Sequence, residues 1–464
     1  MKLKIEHIEL QRIRKVAIEN NYDVYLVGGF VRNFLLQIKT NDIDILVLGD
    51  AIEFAALCAK SFGIKLSAVY KKFGTALLEI NNLKIEFASA RKESYSPGSR
   101  KPKVESSNLK DDLSRRDFTI NALAISLITQ DEIIDLFNGI QDLNDGVIKT
   151  PLDPLKTFGD DPLRMLRAIR FASVLNFRIE PQTFDSIKLM KKSIEGNRIV
   201  SQERVTNEFL LILSSKRPSV GINLLLSSGI LELIFPEISS LAGVEQINDY
   251  HHKDVYNHTM EVLDNLAVKS NDIWIRFAGL LHDVGKPATK KFISKIGWTF
   301  HGHEEIGARM IKNIFLRMKL PLSKLEYVVK LVKLHLRPIP LAEDIVTDSA
   351  IRRLIVDAGE DLNDLLTLCR ADITSKNPEK VKNYLNNFDI VEKKIYEVLE
   401  KDELRNFQSP VRGEEIMEIC NLQPSREVGI IKKKIEEAIL EGIIPNDYIA
   451  AKEYLYKIKD NILK

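Results

Sequence analysis

The chain has 464 residues, 45% hydrophobic and 28% charged, with 67 basic against 65 acidic side chains and a formal net charge of +2. This composition supplies core for two to four domains, and the near-zero balance means that a polyanion must be met by a local basic patch rather than by overall charge. Three scattered cysteines, Cys58, Cys369 and Cys420, make a disulfide framework or cysteine zinc site a poor expectation and fit a reducing cytoplasm. The charged start MKLKIEHIELQRIRK has no apolar signal core, and no apolar run reaches the ~18 residues of a membrane span.

In chain order, residues 1–150 read as mixed α/β. DVYLVGG and DIDILVL are short β-branched runs with helical FVRNFLLQI between them, and LKIEFASA and DEIIDLFNG suggest further strands. In the first pair, Gly28-Gly29 joins a strand to a helix start. Glycines there let backbone N–H groups approach a phosphate, and Arg32 can reach the same anion one turn on. A tight turn with a surface arginine would look the same. In NDIDILVLGD, Asp42 and Asp44 lie two apart on a strand, so both carboxylates share one face. Two hard oxygen ligands suit Mg²⁺ on a triphosphate; a solvated strand end is the alternative. SYSPGSRKPKVESSNLKDD reads as a loop. LSRRDFTINAL then offers Arg115 and Arg116 as phosphate forks ahead of an apolar helix; a capped helix start, with Asp117 as N-cap or first-turn acid, is the alternative.

Past Thr150 the pattern is helical almost throughout, punctuated by prolines. DDPLRMLRAIRF carries Asp160, Asp161, Arg164, Arg167 and Arg170 along one amphipathic segment, with Leu163, Leu166 and Ile169 toward a core. Ion pairs on a solvated helix face would explain it, as would a nucleotide site.

Taken together and in this order, G-G-x-V-R, D-x-D, R-R-D-F-T-x-N-A and D-P-L-R-M-L-R-A-x-R-F resemble the motifs of class II tRNA nucleotidyltransferases, the family of CCA-adding enzymes and bacterial poly(A) polymerases. The resemblance implies an α+β chain: a polymerase-β-like nucleotidyltransferase head followed by an all-α body. It implies that Asp42 and Asp44 are catalytic and hold Mg²⁺. It further implies that Gly28, Gly29, Arg32, Arg116, Arg167 and Arg170 bind nucleotide, and that Asp161 and Arg164 select the base. The chemistry agrees, because cytosine and adenine both place an amine donor beside a ring-nitrogen acceptor, which a carboxylate and a guanidinium complement. At i and i+3 of a helix the two side chains would share a face. Two positions depart from the family pattern: Asn33 stands where Asp is usual, and Asp160 where Glu is usual.

Seven of the eight histidines fall between His251 and His335. His258, His282, Asp283, His303, His335 and Asp372 form an imidazole–carboxylate set suited to one or two divalent transition-metal ions, although a bare H-D doublet also occurs at helix ends. The series resembles the HD-domain metal phosphohydrolases, with His303 preferred to His301 as the G-H-E histidine. It implies phosphatase or phosphodiesterase activity on an intact ligand set.

The expected organisation is a head over 1–150, a helical neck and body for base selection and RNA binding over 151–244, an HD domain over 245–375 and a helical tail over 376–464. The neck cations Lys188, Lys191, Lys192, Arg198 and Arg204 are by default solvated, and by resemblance grip a tRNA acceptor arm. The terminal helix IIKKKIEEAILEG could pack on the body or meet RNA. The leading expectation is addition of C, C and A to tRNA 3′ ends from CTP and ATP. Poly(A), CC-only or A-only synthesis shares almost every motif, and residues 94–112 would govern the switch from C to A. An HD phosphohydrolase with a regulatory nucleotide-binding head is the alternative of another class.

Overall fold

The structure is a computed structural model that describes residues 7–94, 103–129, 133–195, 200–246, 253–294, 297–338, 347–375, 377–402 and 409–462. Residues 95–102 of the expected switch loop, Arg198, and His251 and His252 lie outside them. The chain divides into two compact units, Met1–Pro236 and Glu237–Lys464.

The first unit opens with α1 (Ile8–Glu19), β1 (Asp23–Val27), α2 (Gly29–Leu35), β2 (Asp42–Leu48) and α3 (Ala51–Phe62). Then come β3 (Ala68–Tyr70), β4 (Thr75–Ile80), β5 (Leu83–Ser89), the ribbon β6 (Arg91–Ser94) and β7 (Lys103–Ser106), α4 (Leu109–Ser114), β8 (Leu123–Ser126) and β9 (Ile133–Asp135). Seven strands form one sheet in the order β3-β4-β5-β2-β1-β8-β9. β2 is central, antiparallel to β1 and parallel to β5. Its alternation decides which side chains reach solvent: Ile43 and Ile45 enter a core shared with Phe54, Phe87 and Leu26, and Asp42 and Asp44 face out. α3 is capped by Asp50 at its start and by Gly63 in the left-handed region at its end. The apolar helix expected after Asp117 is a correction: a single 3₁₀ turn, Thr119–Asn121, leads into β8. The run LAIS has a single β-branched residue, Ile125, and its pairing with β1 overrides the helical preference of Leu123 and Ala124.

Helices follow: α5 (Gly139–Asn144), α6 (Pro154–Asp160), α7 (Leu163–Leu175), α8 (Pro181–Met190), α9 (Gln202–Leu213), α10 (Pro218–Ser228) and α11 (Ile230–Ile234), with the two-residue parallel pair β10 (Val147–Ile148) and β11 (Arg178–Ile179). α7 buries Leu163, Leu166 and Ile169 completely or nearly so. Expectation and structure differ at its start. Asp161 is not helical; its backbone is extended (φ −146°, ψ 102°), and it separates α6 from α7. The cause is Pro162, which disfavours helical backbone in the residue before it.

α12 (Pro236–Ser239) starts at the division, and the second unit holds β12 (Glu245–Gln246), β13 (Lys253–Asp254), α13 (Val255–Lys269), α14 (Ile273–Leu281), α15 (Lys286–Thr289), the hairpin β14 (Lys291–Ile293) and β15 (Gly297–Thr299), and α16 (His303–Met318). α17 (Leu325–Leu334), α18 (Asp348–Ala358), α19 (Leu362–Asp372), α20 (Pro378–Asp402), α21 (Gly413–Cys420), α22 (Arg426–Leu440) and α23 (Tyr448–Ile462) complete it. The segment expected as a terminal helix is α22, and α23 follows it. Ile431, Ile435 and Ile439 of α22 lie in a separate small core with Ile416, Ala451 and Leu455. Among the described residues no helix is long and apolar enough to cross a membrane.

Candidate active site and metal centre

The head site is built where β1 turns into α2. Gly28 has φ +69°, and a Cβ there would stand 2.9 Å from Arg116 Nη1 and 3.0 Å from Asp44 Oδ2. The bare backbone therefore lets an acid and a guanidinium close over the turn. Burial pushes the Asp44 carboxyl up from its ordinary value; Arg116 pulls it back, Asp42 pushes it further and Arg32 opposes. Arg116 gives Nη2 to the fully buried Asp112 at 3.1 Å, and its own Nε is buried with no hydrogen-bond partner. A buried orphan donor beside two carboxylates and a glycine turn is what a phosphate oxygen would satisfy. Glu86 stands in register with Asp44 on β5 and so shares its sheet face. Sequence reasoning missed this third carboxylate, since only strand pairing reveals it.

Arg32 is buried and reaches inward. Nη1 donates to Asn121 Oδ1 at 2.7 Å, and Nε and Nη2 donate to Asn33 Oδ1 at 3.1 and 2.8 Å. Asn33 thus still accepts from the guanidinium, without a charge. Burial brings the Arg32 pKa down to about 10, against the pull of Asp117.

Asp117 is a hub rather than a helix cap. Its Oδ2 accepts from Arg167 Nε and Nη2 at 2.8 and 2.6 Å; its Oδ1 accepts from Asn121 Nδ2 and Phe118 N, both at 2.9 Å. Burial pushes its pKa up, but Arg167 and Asn121 outweigh that and hold it below the ordinary value. Arg170 Nε donates to Glu208 Oε2 at 2.6 Å. The guanidinium carbons of Arg32, Arg167 and Arg170 all lie over the ring of Phe171, at 4.8, 5.5 and 3.9 Å from its centroid. The π face offsets the mutual repulsion of three cations.

The expected base-selecting pair is fixed by the protein. Asp161 Oδ1 accepts from Leu163 N at 3.1 Å and Oδ2 from Arg204 Nη2 at 2.8 Å. Arg164 donates to Arg115 O at 2.7 Å and to Thr157 O at 3.4 Å. Both oxygens of Asp161 and both terminal nitrogens of Arg164 are thus engaged, and each side chain keeps capacity for further hydrogen bonds.

In the second unit, His258 projects from α13, His282 and Asp283 from the end of α14, His303 from the start of α16, His335 from the end of α17 and Asp372 from the end of α19. His258 Nε2 lies 2.8 Å from Asp372 Oδ1 and 3.2 Å from His282 Nε2. Two triplets, His258–His282–Asp372 and Asp283–His303–His335, each keep their ligand atoms within 4.8 Å of one another. His301 is exposed and outside both. His282, His303 and His335 direct Nδ1 at the carbonyls of Gly279, Phe300 and Val332, at 2.7, 2.8 and 2.6 Å. Donation from Nδ1–H leaves Nε2 as the lone-pair atom aimed at the cluster. His335 Nε2 is buried without a hydrogen-bond partner, whereas Asp283 pairs Oδ2 with Lys286 Nζ at 2.7 Å and sets Oδ1 3.2 Å from His303 Nε2; a buried orphan nitrogen among carboxylates fits a cation. With no metal bound, Asp283 and Asp372 outweigh burial and raise the His282 pKa to about 10, so a metal ion must displace the proton on its Nε2.

A nucleotidyltransferase head on a polymerase-β-like sheet, with an HD metal centre in the other unit, is the class that these sites define. Residues 24–149 match the poly A polymerase head domain, 176–241 a probable RNA and SrmB-binding site of polymerase A, and 255–377 the HD domain. The chain is 33% identical over 338 residues to an A-adding tRNA nucleotidyltransferase of Deinococcus radiodurans, covering 71% of this chain and 75% of the relative. It is also 33% identical to a multifunctional CCA protein of Psychromonas ingrahamii over 375 residues, 78% and 87% of the two chains. A tRNA nucleotidyltransferase solved with a primer tRNA and an incoming ATP analogue superposes with a TM-score of 0.58 at 28% identity, covering 82% of this chain and 99% of that one. The chain belongs to the tRNA nucleotidyltransferase and poly(A) polymerase family. It is a nucleotidyltransferase dependent on divalent metal.

Proposed function

We propose that the protein adds C, C and A to the 3′ ends of tRNA in the cytoplasm, from CTP and ATP. The observation that carries the reading is the arrangement at Gly28, where Asp44 and Arg116 both close on the β1–α2 turn. Asp42 and Asp44 would hold Mg²⁺, which when bound neutralises triphosphate charge and orients the in-line attack. The outward carboxylates on one strand face fit that hard cation. Arg116, with its orphan Nε, and the Gly28-Gly29 turn take the triphosphate. Arg32, Arg167 and Arg170, tied together over Phe171, line the nucleotide side. The held carboxylate of Asp161 accepts from the exocyclic amine of cytosine or adenine, and Arg164 donates to the adjacent ring nitrogen. Uracil and guanine turn a carbonyl toward Asp161 and are repelled. Addition of A alone is the second reading, favoured by the name of the Deinococcus relative.

The second unit is proposed as a phosphohydrolase. Its six ligands fit one or two divalent transition-metal ions, which when bound supply an acidified water and a polarised phosphoryl group. The carbonyl contacts at Nδ1 fix the histidine rings for that role. Two variants test the division of labour. Asp42→Ala should abolish nucleotide addition and spare phosphate release; His282→Ala should do the reverse. Retained nucleotide addition in Asp42→Ala would refute the catalytic assignment.

A further inference from the structure

The polypeptide between two cluster ligands, Asp283 and His303, does not stay in the helical layer. After α15 it loops out as the β14–β15 hairpin and returns through Phe300, whose carbonyl holds the His303 ring. Nothing in the resemblance or in the proposed phosphohydrolase gives this excursion a task.

Its composition is one-sided. From Val284 to His303 there is no acidic residue, in a chain that is otherwise charge-balanced. The described part carries Lys286, Lys290 and Lys291 interleaved with Phe292, Trp298 and Phe300. Phe292 and Trp298 are directly opposite across the hairpin, so they share one face. Their rings meet edge to face at 5.3 Å, and Lys290 Nζ lies 4.3 Å from the Trp298 ring centroid. Phe292 is 64% exposed and Ile293 39%. The lysine–aromatic alternation continues inward. Lys286 Nζ lies 5.7 Å from the Phe300 ring centroid and 2.7 Å from Asp283 Oδ2. A second lysine–aromatic pair thus ends on a carboxylate of the cluster.

Lysines interleaved with an exposed Phe292 and a half-buried Trp298 supply what holds a nucleobase by stacking and its phosphate by charge. We propose that the β14–β15 hairpin is the nucleotide-recognition element of the HD centre. Phe292 and Trp298 take the base, Lys290 and Lys291 take backbone phosphate, and Lys286 guides the terminal phosphate to the cluster. The ligand is a nucleotide with a terminal phosphate, free or at the end of a single-stranded RNA. The proposal rests on the phosphohydrolase reading for its purpose, but its binding step can be tested alone.

The chain has two tryptophans, Trp274 and Trp298, so Trp274→Phe in the full-length protein leaves Trp298 as the only indole reporter. Adenosine 3′-phosphorothioate, chosen because it is hydrolysed slowly, should quench this fluorescence saturably, and ribose 5-phosphate should not. In the same background Phe292→Ala should weaken the nucleotide's Kd about fivefold or more, as loss of one stacking partner does; Phe292→Tyr should restore it. A hexameric RNA with a 3′-phosphate that binds more tightly than the mononucleotide identifies an RNA end as the ligand; equal or weaker binding identifies the free nucleotide. Absence of quenching, equal quenching by ribose 5-phosphate, or an unchanged Kd in Phe292→Ala overturns the proposal. Phosphate release from β-glycerophosphate by the metal-loaded protein reports on the phosphohydrolase reading separately. Quenching without release would refute that reading and leave the hairpin assignment standing.

Discussion

Arg204 of α9 donates Nη2 to Oδ2 of Asp161 at 2.8 Å, so the carboxylate expected to read the incoming base is already held by a cation from another helix. Its other oxygen caps the start of α7 through Leu163 N. A residue released from helical geometry by Pro162 would otherwise turn freely. Arg204 sets the plane in which the carboxylate accepts, and with it the edge offered to the base.

Arg204→Ala should therefore weaken selection more than it weakens the chemical step. Loss of a charge-assisted hydrogen bond of about 1.5–3 kcal/mol corresponds to roughly a ten- to hundredfold fall in kcat/KM for CTP and ATP. The ratio of kcat/KM for CTP over UTP should fall as well. Arg204→Lys should recover part of both. A variant that lowers all four nucleotides equally would make Arg204 a fold residue only.

Gly28→Ala tests the turn. The new Cβ meets Arg116 and Asp44 at 2.9 and 3.0 Å, in a backbone conformation that costs a side chain about 1–3 kcal/mol. The expected outcome is nucleotide addition reduced at least about tenfold, with a melting temperature lowered by only a few degrees. Unaltered activity would show that Asp44 and Arg116 need not approach the turn so closely.

Asp117→Asn tests the arginine hub through pH. The folded-state pKa of Asp117 is lower than its ordinary value of 3.8, because Arg167 and Asn121 outweigh burial. A depressed carboxylate contributes stability that is present above the unfolded pKa and lost as pH falls through the folded one. The stability gap between wild type and variant should thus be constant above about pH 5, near 2 kcal/mol for a charged hydrogen bond, and should close progressively below pH 4. Urea unfolding at several pH values measures it. A gap that widens on acidification would contradict the assignment.

Metal removal should destabilise the second unit. Binding of a divalent ion to the folded cluster adds about 2.7 kcal/mol at a hundredfold excess over Kd, so calorimetry on chelator-treated protein should show a melting temperature that rises on adding Mn²⁺, Co²⁺ or Ni²⁺. His303→Ala should lose most of that rise. The same rise in wild type and His303→Ala would place the metal elsewhere.

The strand alternation that exposes Asp42 and Asp44 was legible because period two needs only local sequence, and the gathering of the second unit's cluster was suggested by its four histidines, a residue scarce outside 251–335. Asp161 was misplaced on a helix because the apolar stripe beyond it outweighed the one local signal, Pro162. Arg204 read as a solvated neck cation, and Asp117 as a cap, because their partners lie 43 and 50 residues away. Glu86 stayed invisible for the same reason: its relation to Asp44 exists only through strand pairing. Pairing across the fold is what the linear pattern does not carry.

The central claim is that Asp161 and Arg164 choose C and A for a site built on Asp42 and Asp44. Primer extension measures it directly, with tRNA transcripts ending at the discriminator base, at C and at CC, each offered Mg²⁺ with single nucleotides or with CTP plus ATP. The account predicts C, C and A in order, followed by a stop, with UTP and GTP ignored. Long A tracts would make the protein a poly(A) polymerase. A single A on the CC end alone would make it an A-adding enzyme, and C addition that stops before A a CC-adding one. Incorporation of UTP or GTP at rates comparable to CTP and ATP, or no extension of any transcript, would contradict the account.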